Sequence, residues 1–237
     1  LELKKFDFLP AYFRAINERI YWDKIRQSKI RVACDTMYST SRGYLDRLLE
    51  ENGVPVKALH NWRDPLFGGS MPEPRFEFLQ ELSKLVPAEG FDVGIATDGD
   101  GDRFGAIDEL GNFAGANKVL PMVARHLVKN RGMSGAIVRT VSTTHLLDRL
   151  GELYGFEVIE TPVGFKYIGE VMRSKTVLIG GEESGGMSIN GHIPEKDGIM
   201  SNLLLCEMMA YEGKPLSQIW KDLQEETGFP VCSRTNN

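Results

Sequence analysis

Residues 91–108 read FDVGIATDGDGDRFGAID, and the rest of the chain is best interpreted outward from this stretch. An apolar run ends there at three aspartates that alternate with glycines, Asp98, Asp100 and Asp102. Arg103 and a second apolar run follow. Two carboxylates about 5 Å apart repel by roughly 3 kcal/mol at an effective dielectric constant of about 20, so three at one strand end require a counter-charge. The stretch therefore predicts a site for Mg²⁺, Mn²⁺ or Ca²⁺, the cations that prefer oxygen ligands.

The same aspartates allow two other interpretations. A solvated acidic turn would also be rich in Asp and Gly, but it has no need of three alternating carboxylates. A calcium-binding loop between two helices would place Glu109 at its twelfth position. That loop requires a glycine at its sixth position, where this chain has Arg103, and both of its flanks should be helices, whereas here they are predicted strands.

The composition excludes several classes of protein. A chain of 237 residues suffices for one large or two ordinary domains. A net charge of −5 and the lack of a basic patch interleaved with aromatic residues argue against a nucleic-acid partner. No apolar run approaches the roughly 20 residues of a membrane span, and no signal peptide opens the sequence. We therefore expect no membrane partner and a cytoplasmic location.

The cysteines and histidines do not form a recognisable metal motif. The three cysteines are few and far apart, which is typical of unpaired thiols in a reducing compartment: Cys34, Cys206 and Cys232. The histidines lack metal-ligand spacing, and for the first three we expect surface or core positions: His60, His126, His145 and His192. The chain begins at Leu1 instead of methionine, from which we expect a processed or excised piece.

Apolar strands alternate with amphipathic helices in both halves of the chain, a pattern typical of an α/β fold. Strands are predicted at 30–35, 55–60, 91–97, 103–108, 136–140, 156–162 and 176–181. Helices are predicted at 6–28, 43–53, 76–86, 116–130, 145–155 and 165–174, with two more after residue 198. We predict two similar domains, 1–113 and 114–237, each a mainly parallel or mixed sheet covered by helices.

A second loop occupies the position in the second half that the aspartates occupy in the first. Residues 180–186 read GGEESGG and follow the third predicted strand of that half. Ligands of such folds bind beyond the carboxyl ends of the strands. If the strand continued through Glu182, the side chains of Glu182 and Ser184 would point the same way, suited to bind vicinal sugar hydroxyls. A polar loop that only caps a helix is the alternative.

Three cationic residues are candidate contacts for an anionic ligand. Lys166 lies near a predicted helix start, where the helix dipole disfavours a cation, so a ligand anion or a catalytic proton explains it better than the helix does. Arg139 lies near the end of a predicted strand, and Lys196 precedes a helix whose N-cap we predict to be Asp197. For each cation, an ordinary solvated side chain is the alternative.

Together these motifs resemble those of the α-D-phosphohexomutases, the phosphoglucomutase and phosphomannomutase family. DGDGDR from Asp98 resembles their magnesium loop, and TPVGFK and GEESG resemble their sugar-facing loops. HIPEKDG, from His192, is similar to a stretch of some phosphoglucomutases. The resemblance covers domains 2 and 3 of a four-domain family. It implies that domain 1, with its phosphorylated serine, and domain 4, with its phosphate clamp, are missing partners of the same polypeptide. Residues 229–237 would begin the link to domain 4.

The resemblance implies interconversion of hexose 1-phosphate and hexose 6-phosphate through a bisphosphate intermediate, with glucose preferred and mannose as the other candidate. Mg²⁺ would be held by Asp98, Asp100 and Asp102. Arg103 and Lys166 would be catalytic. The substrate would be bound by Glu182, Ser184, Arg139 and Lys196. The chain alone would be inactive, because the phosphoserine and the clamp are absent.

Two functions outside this family remain open on the sequence. An aspartate-nucleophile phosphatase also places D-x-D after a strand, but it expects Thr or Val two residues later, where this chain has Asp102, and it does not explain the GEES segment. The other is a non-catalytic module that binds Mg²⁺ or a sugar phosphate.

Overall fold

The computed structural model describes residues 4–229. The first half of the chain forms α1 (Leu9–Asn17), α2 (Trp22–Ser28), β1 (Val32–Asp35), α3 (Leu45–Glu51), β2 (Val56–Leu59), α4 (Gln80–Glu89), β3 (Val93–Thr97), β4 (Phe104–Ile107) and β5 (Phe113–Ala114). The second half forms α5 (Ala116–Lys129), β6 (Ala136–Thr140), α6 (Leu146–Tyr154), β7 (Val158–Thr161), α7 (Phe165–Ser174), β8 (Val177–Gly181), β9 (Met187–Ile189), α8 (Gly198–Glu212) and α9 (Leu216–Thr227).

Each half builds one sheet, and the two sheets have equivalent strand orders, β2-β1-β3-β4-β5 and β7-β6-β8-β9. In both sheets the first three strands along the chain are parallel and the next is antiparallel. The predicted α/β class, with two mixed sheets covered by helices, is confirmed. The aspartate loop (residues 98–103) follows β3, and the GEES loop (residues 181–186) follows β8. Each of these strands is the third strand of its sheet along the chain, so the two loops occupy equivalent positions.

The strands at the centre of each sheet are fully buried. β1, β3, β6 and β8 are buried along their whole length, as expected for strands covered by helices on both faces. The edge strands β2 and β7 are only partly buried, whereas the edge strand β9 is buried where α8 packs against it. The central strands thus hold the loops that follow them in fixed positions.

The structure differs from the sequence prediction at three places. The predicted helix 6–28 is two helices, since the chain bends between them and the Tyr21 N–H donates to the Glu207 carboxylate, 2.8 Å away. The segment after Glu182, which we expected to be all loop, contains β9, which pairs with β8. β5 is a two-residue strand that was not predicted, and the predicted domain boundary between residues 113 and 114 falls inside it.

Helix α8 ties the two halves together. It is buried on nearly all sides, and it packs against α2, β3 and β4 of the first half and against α5 of the second. One apolar cluster runs through both halves as a consequence. The position of each sheet relative to the other is therefore fixed by a shared core.

Several further features bear on the sequence predictions. None of the helices between residues 4 and 229 is both long enough and apolar enough to cross a membrane. Cys34 and Cys206 are buried free thiols, as predicted. Cys232 lies outside the described residues, as does the predicted link segment apart from Phe229.

Candidate functional site

The three aspartates converge directly after β3. One carboxylate oxygen from each of Asp98, Asp100 and Asp102 lies within 4.8 Å of the others. Asp98 is buried, Asp102 is half-buried and Asp100 is exposed, so the cluster opens to solvent on one side. Asp98 Oδ1 accepts the N–H groups of Asp102 (2.9 Å) and Arg103 (3.0 Å), which fixes the curl of the loop.

The electrostatics of the cluster fit a hard divalent cation. Burial, the largest effect, and the charges of Asp102 and Asp100 together raise the pKa of Asp98 to about 6, although the hydrogen bond from the Arg103 N–H opposes this shift. Asp102 Oδ1 is buried without a hydrogen-bond partner. An unpartnered carboxylate oxygen in an all-oxygen cluster is a suitable ligand for Mg²⁺, Mn²⁺ or Ca²⁺.

Two other loops of the first half form backbone hydrogen bonds with the aspartate loop. The Gly99 N–H donates to the Pro72 carbonyl (2.9 Å), and the Thr40 N–H donates to the Gly99 carbonyl (3.3 Å). Gly101 has φ +80°, a conformation that favours glycine. Glycine at this position therefore lets the backbone curl round the carboxylates.

Two cationic side chains lie beside the aspartates. Arg103 Nε is 3.6 Å from Asp98 Oδ2 and 3.8 Å from Asp102 Oδ1. Lys196 Nζ is closer, at 2.8 Å from Asp102 Oδ2. Lys196 comes from the second half of the chain, and its contact with the aspartates was not predicted, because the sequence carries no signal for a pairing between segments so far apart.

The GEES loop is a tight turn and not a continuation of its strand. β8 ends at Gly181, and the Glu182 N–H donates to the Gly186 carbonyl at 2.9 Å. The condition for the predicted alternation of Glu182 and Ser184 is therefore not met. Glu182 is buried, whereas Ser184 is exposed and lines a cavity beside the loop. Glu183 Oε2 accepts the Thr140 hydroxyl at 2.9 Å.

The two loops are in direct contact. The Phe104 N–H donates to the Gly185 carbonyl at 3.0 Å, and Arg103 and Gly186 form an antiparallel bridge. A Cβ atom at Gly185 would lie 2.5 Å from the Phe104 carbonyl oxygen, so only glycine permits this approach. The aspartate loop and the GEES loop thus form one continuous edge of the site (the rim), where the two sheets are joined by backbone hydrogen bonds.

The start of α8 supports the same rim. The Gly198 N–H donates to the Gly101 carbonyl at 3.1 Å. Asp197 is the N-cap of α8, as predicted, and its carboxylate accepts the Met200 N–H at 2.9 Å. It also contacts the Tyr12 hydroxyl (3.0 Å) and His192 Nε2 (2.9 Å). The histidine and the carboxylate hold the segment before α8 in place.

Lys166 lies in the first turn of α7 and is exposed, with Nζ 4.8 Å from the centre of the Tyr167 ring. Two residues earlier, the Gly164 N–H donates to Glu182 Oε1 at 3.0 Å. The TPVGFK segment therefore meets the GEES loop through Glu182. Two segments that the sequence predicts to face the sugar, 161–166 at the start of α7 and the GEES loop after β8, are therefore in contact.

Arg139 differs from both interpretations that the sequence allowed. Its side chain is buried, and its guanidinium donates to Asp148 (2.9 and 2.8 Å) and to Glu160 (2.9 Å). Burial alone would lower its pKa, but these carboxylates outweigh burial and raise it. Since the donors are already engaged, the geometry favours a structural role over contact with a substrate anion.

A cavity of about 250 Å³ lies against the joined loops. Arg103 and residues 183–185 line one side of it, and Phe113 and the start of α5 line another. Glu73, Pro74 and Arg75 close it from the long loop after β2. The sequence does not predict a role for these three residues, because they lie in a proline-rich loop with no recognisable motif.

Comparisons with known proteins agree with this arrangement. A family model described as phosphoglucomutase/phosphomannomutase, alpha/beta/alpha domain II, matches residues 10–111, and the corresponding model of domain III matches residues 115–227. A phosphoglucomutase/phosphomannomutase of Thermococcus kodakarensis is 33% identical over 228 residues, which cover 96% of this chain and 50% of the relative. A phosphoglucosamine mutase of Carboxydothermus hydrogenoformans is 32% identical over 210 residues, 86% of this chain and 45% of the relative.

A solved structure shows the same fold. A Thermus thermophilus protein assigned as a phosphomannomutase superimposes with a TM-score of 0.90 at 35% identity, covering 96% of this chain and 52% of that one. The chain spans about half the length of the curated relatives it matches. Matches to two successive domain models and this superposition lead to one conclusion: the chain belongs to the phosphohexomutase family, of which it contains the central domains II and III.

Proposed function

We propose that the chain forms the metal-binding and sugar-binding part of a phosphohexomutase that interconverts hexose 1-phosphate and hexose 6-phosphate through a bisphosphate intermediate. The observation that carries the proposal is the bridge between Arg103 and Gly186. It joins the loop of three clustered carboxylates to a loop of carboxylate and hydroxyl side chains, at equivalent strand ends of two sheets, which supports a combined site for a cation and a sugar. A substrate that carries both phosphate and hydroxyl groups needs both at once.

Asp98, Asp100 and Asp102 are the proposed ligands of Mg²⁺. When bound, the ion supplies positive charge that stabilises the negative charge on a transferring phosphoryl group. Arg103 is held near the triad by two of its carboxylates, so its charge acts in the same place. This is electrostatic preorganisation, since the groups need not move when the charge develops.

Glu182, Ser184 and Lys166 are the proposed contacts to the sugar. Burial raises the pKa of Glu182, although Lys196 and the Gly164 N–H oppose this shift. The bond from Gly164 fixes one oxygen of Glu182 and leaves the other to accept a sugar hydroxyl. Exposed Lys166 lies in the first turn of α7, two residues after Gly164, and is the proposed group that contacts the substrate or moves a proton.

The identity of the hexose is part of the proposal. Glucose phosphates are the preferred substrates and mannose phosphates the second choice, on the basis of the residue sequence of the GEES loop. Phosphoglucosamine mutases are among the relatives, so an amino sugar is a third candidate. The proposed domains are 1–113 and 114–237, with domains 1 and 4 supplied elsewhere in the same polypeptide. The family match favours this interpretation over an aspartate-nucleophile phosphatase.

An activity assay tests the proposal. We expect the 237-residue chain alone not to convert glucose 1-phosphate to glucose 6-phosphate, because the phosphoryl donor and the phosphate clamp are absent. The longer polypeptide that includes domains 1 and 4 should be active with Mg²⁺ and a catalytic amount of glucose 1,6-bisphosphate. Mannose and glucosamine phosphates, assayed in parallel, rank the substrates. Rapid turnover by the chain alone, or none by the longer polypeptide with any of these sugars, would contradict the proposal.

A further inference from the structure

Lys196 makes the closest ion pair to the aspartate cluster among the described residues. Its Nζ is 2.8 Å from Asp102 Oδ2, whereas Arg103 Nε is 3.6 and 3.8 Å from its carboxylate partners. The Lys196 side chain is 18% exposed, and that of Asp102 is 26% exposed, so the pair is only partly screened by water. Lys196 therefore already provides part of the counter-charge that three clustered carboxylates require.

The stem of Lys196 runs over Gly186 on its way to the cluster. A Cβ atom at Gly186 would lie 2.4 Å from Lys196 Cδ and 3.2 Å from Glu182 Oε2. The methylene chain of Lys196 and the carboxylate of Glu182 are thus neighbours on the same glycine. The charge of Lys196 is also the main influence that opposes the effect of burial on the pKa of Glu182. One ammonium group consequently pairs with a carboxylate of the aspartate loop and also acts electrostatically on a carboxylate of the GEES loop.

We infer that Lys196 is a displaceable counter-ion of the aspartate cluster, and that a divalent cation which binds there releases its ammonium towards Glu182 and the sugar-binding loop. This inference rests on the metal site of the proposed function. A dication and an ammonium repel each other when they share one carboxylate, so the two compete for Asp102. The four-carbon stem of lysine is flexible, which makes the relocation easy.

The competition couples the two loops of the site. The cation binds more weakly while Lys196 occupies Asp102, and Lys196 binds Asp102 more weakly once the cation is present. Because such linkage is reciprocal, occupation of the metal site changes the charge presented to the sugar. Lys196 thereby acts as a positioning residue. Whether a cation occupies the aspartates determines whether its ammonium group stays on Asp102 or moves towards Glu182.

Calorimetric titration of the full 237-residue chain with MgCl₂ at low salt tests this inference. We expect Lys196→Met to bind Mg²⁺ about tenfold more tightly, because the competing ammonium is gone. Lys57→Met is the matched control, since Lys57 pairs with Glu89 at 2.6 Å near the opposite ends of the strands. The control should leave the affinity unchanged. Unchanged or weaker binding by Lys196→Met overturns the inference, whereas no binding by the unmodified chain overturns the metal site itself.

A second variant keeps the charge of Lys196 and displaces its stem. Gly186 does not have a positive φ, so Gly186→Ala is tolerated by the backbone, but its methyl group collides with the Lys196 stem. We expect this variant also to bind Mg²⁺ more tightly than the unmodified chain. If it does not, the location of the stem has no bearing on the cation, and the inference fails.

A spectroscopic signal follows the lysine directly. Reductive methylation with ¹³C-formaldehyde keeps the charge of each lysine and gives it an NMR signal, and Lys196→Arg identifies the signal of Lys196. That signal should shift during the MgCl₂ titration, with the same midpoint as the calorimetric titration. A signal that stays fixed while Mg²⁺ binds would refute the release of Lys196.

Discussion

At the scale of single residues, the Glu207 carboxylate of α8 illustrates how this fold accommodates buried charge. Glu207 is fully buried and accepts the Tyr21 N–H (2.8 Å), His126 Nε2 (3.0 Å) and Arg131 Nε (2.6 Å). Burial alone would raise its pKa, but the bonds from His126 and Arg131 outweigh burial and lower it. Arg131 also donates to the Arg19 carbonyl at 2.8 Å, so this cluster joins α8 to the segment between α1 and α2.

Glu207→Gln should reduce the free energy of unfolding by about 3–5 kcal/mol, because it leaves Arg131 buried without its counter-charge. Since the folded pKa of Glu207 lies below its ordinary value of 4.5, its contribution is present above that pH and is lost as the pH falls through the folded pKa. Urea unfolding at pH 7 and between pH 3 and 5 (roughly, the titration range of a carboxyl group) measures both effects.

The variant should therefore show a weaker loss of stability in acid than the unmodified chain. Glu152→Gln is the control, because Glu152 is exposed and pairs with Arg149 one helical turn away, a contact worth less than about 1 kcal/mol. If Glu207→Gln were as stable as this control, the buried cluster would not contribute as described.

At the scale of elements, α8 sets the geometry of the candidate site. Its first residue, Gly198, packs against the backbone of the aspartate loop, where a Cβ atom would lie 2.3 Å from the Arg103 carbonyl oxygen and 2.8 Å from that of Gly101. Asn202, one turn further on, donates to the Ala96 carbonyl of β3 at 2.8 Å. A helix from the second half of the chain thus determines where the aspartates stand.

Gly198→Ala should weaken Mg²⁺ binding by roughly 10- to 100-fold, the usual effect of disturbing groups that support metal ligands. The control is Gly213→Ala at the other end of α8, where φ is +61° and no atom lies near the added methyl group. This control is strained and should lower the melting temperature without changing the affinity. Calorimetry and thermal unfolding, run on both variants, separate the two effects. Equal Mg²⁺ affinity in Gly198→Ala and the unmodified chain would exclude a supporting role for α8.

The elements also show where sequence reasoning succeeds and fails. Strand β3 and the aspartates after it were predictable, because apolar periodicity and a change to Asp and Gly are local signals. Helix α8 was predictable as a helix, but apolar residues on all of its faces do not specify which elements cover it. Strand β9 was missed because it is three residues long and follows a glycine-rich turn. The break between α1 and α2 depends on Glu207, a residue distant in sequence.

At the scale of the whole molecule, two sheets of equivalent order present equivalent loops to each other. The sequence predicted both loops, yet it did not predict that they touch. The bridge from Arg103 to Gly186 and the ion pair from Lys196 to Asp102 join segments about 80 to 95 residues apart. The surroundings of Arg139 were not predicted for a different reason: its partners Asp148 and Glu160 are only 9 and 21 residues away, but they lie on α6 and β7, whose packing beside β6 the sequence does not specify. Contacts between distant segments decide which polar residues are free to act.

The central claim is that Asp98, Asp100 and Asp102 together hold a divalent cation in this family member, and calorimetric titration of Asp100→Asn with MgCl₂ at low salt tests it most directly. Asp100 is exposed, so its loss should not disturb the fold. Asp23→Asn, which removes an exposed carboxylate paired with Arg26, is the control. The account predicts that the Mg²⁺ affinity of Asp100→Asn falls by about tenfold or more while that of the control is unchanged. Equal affinity in Asp100→Asn and the unmodified chain would contradict it.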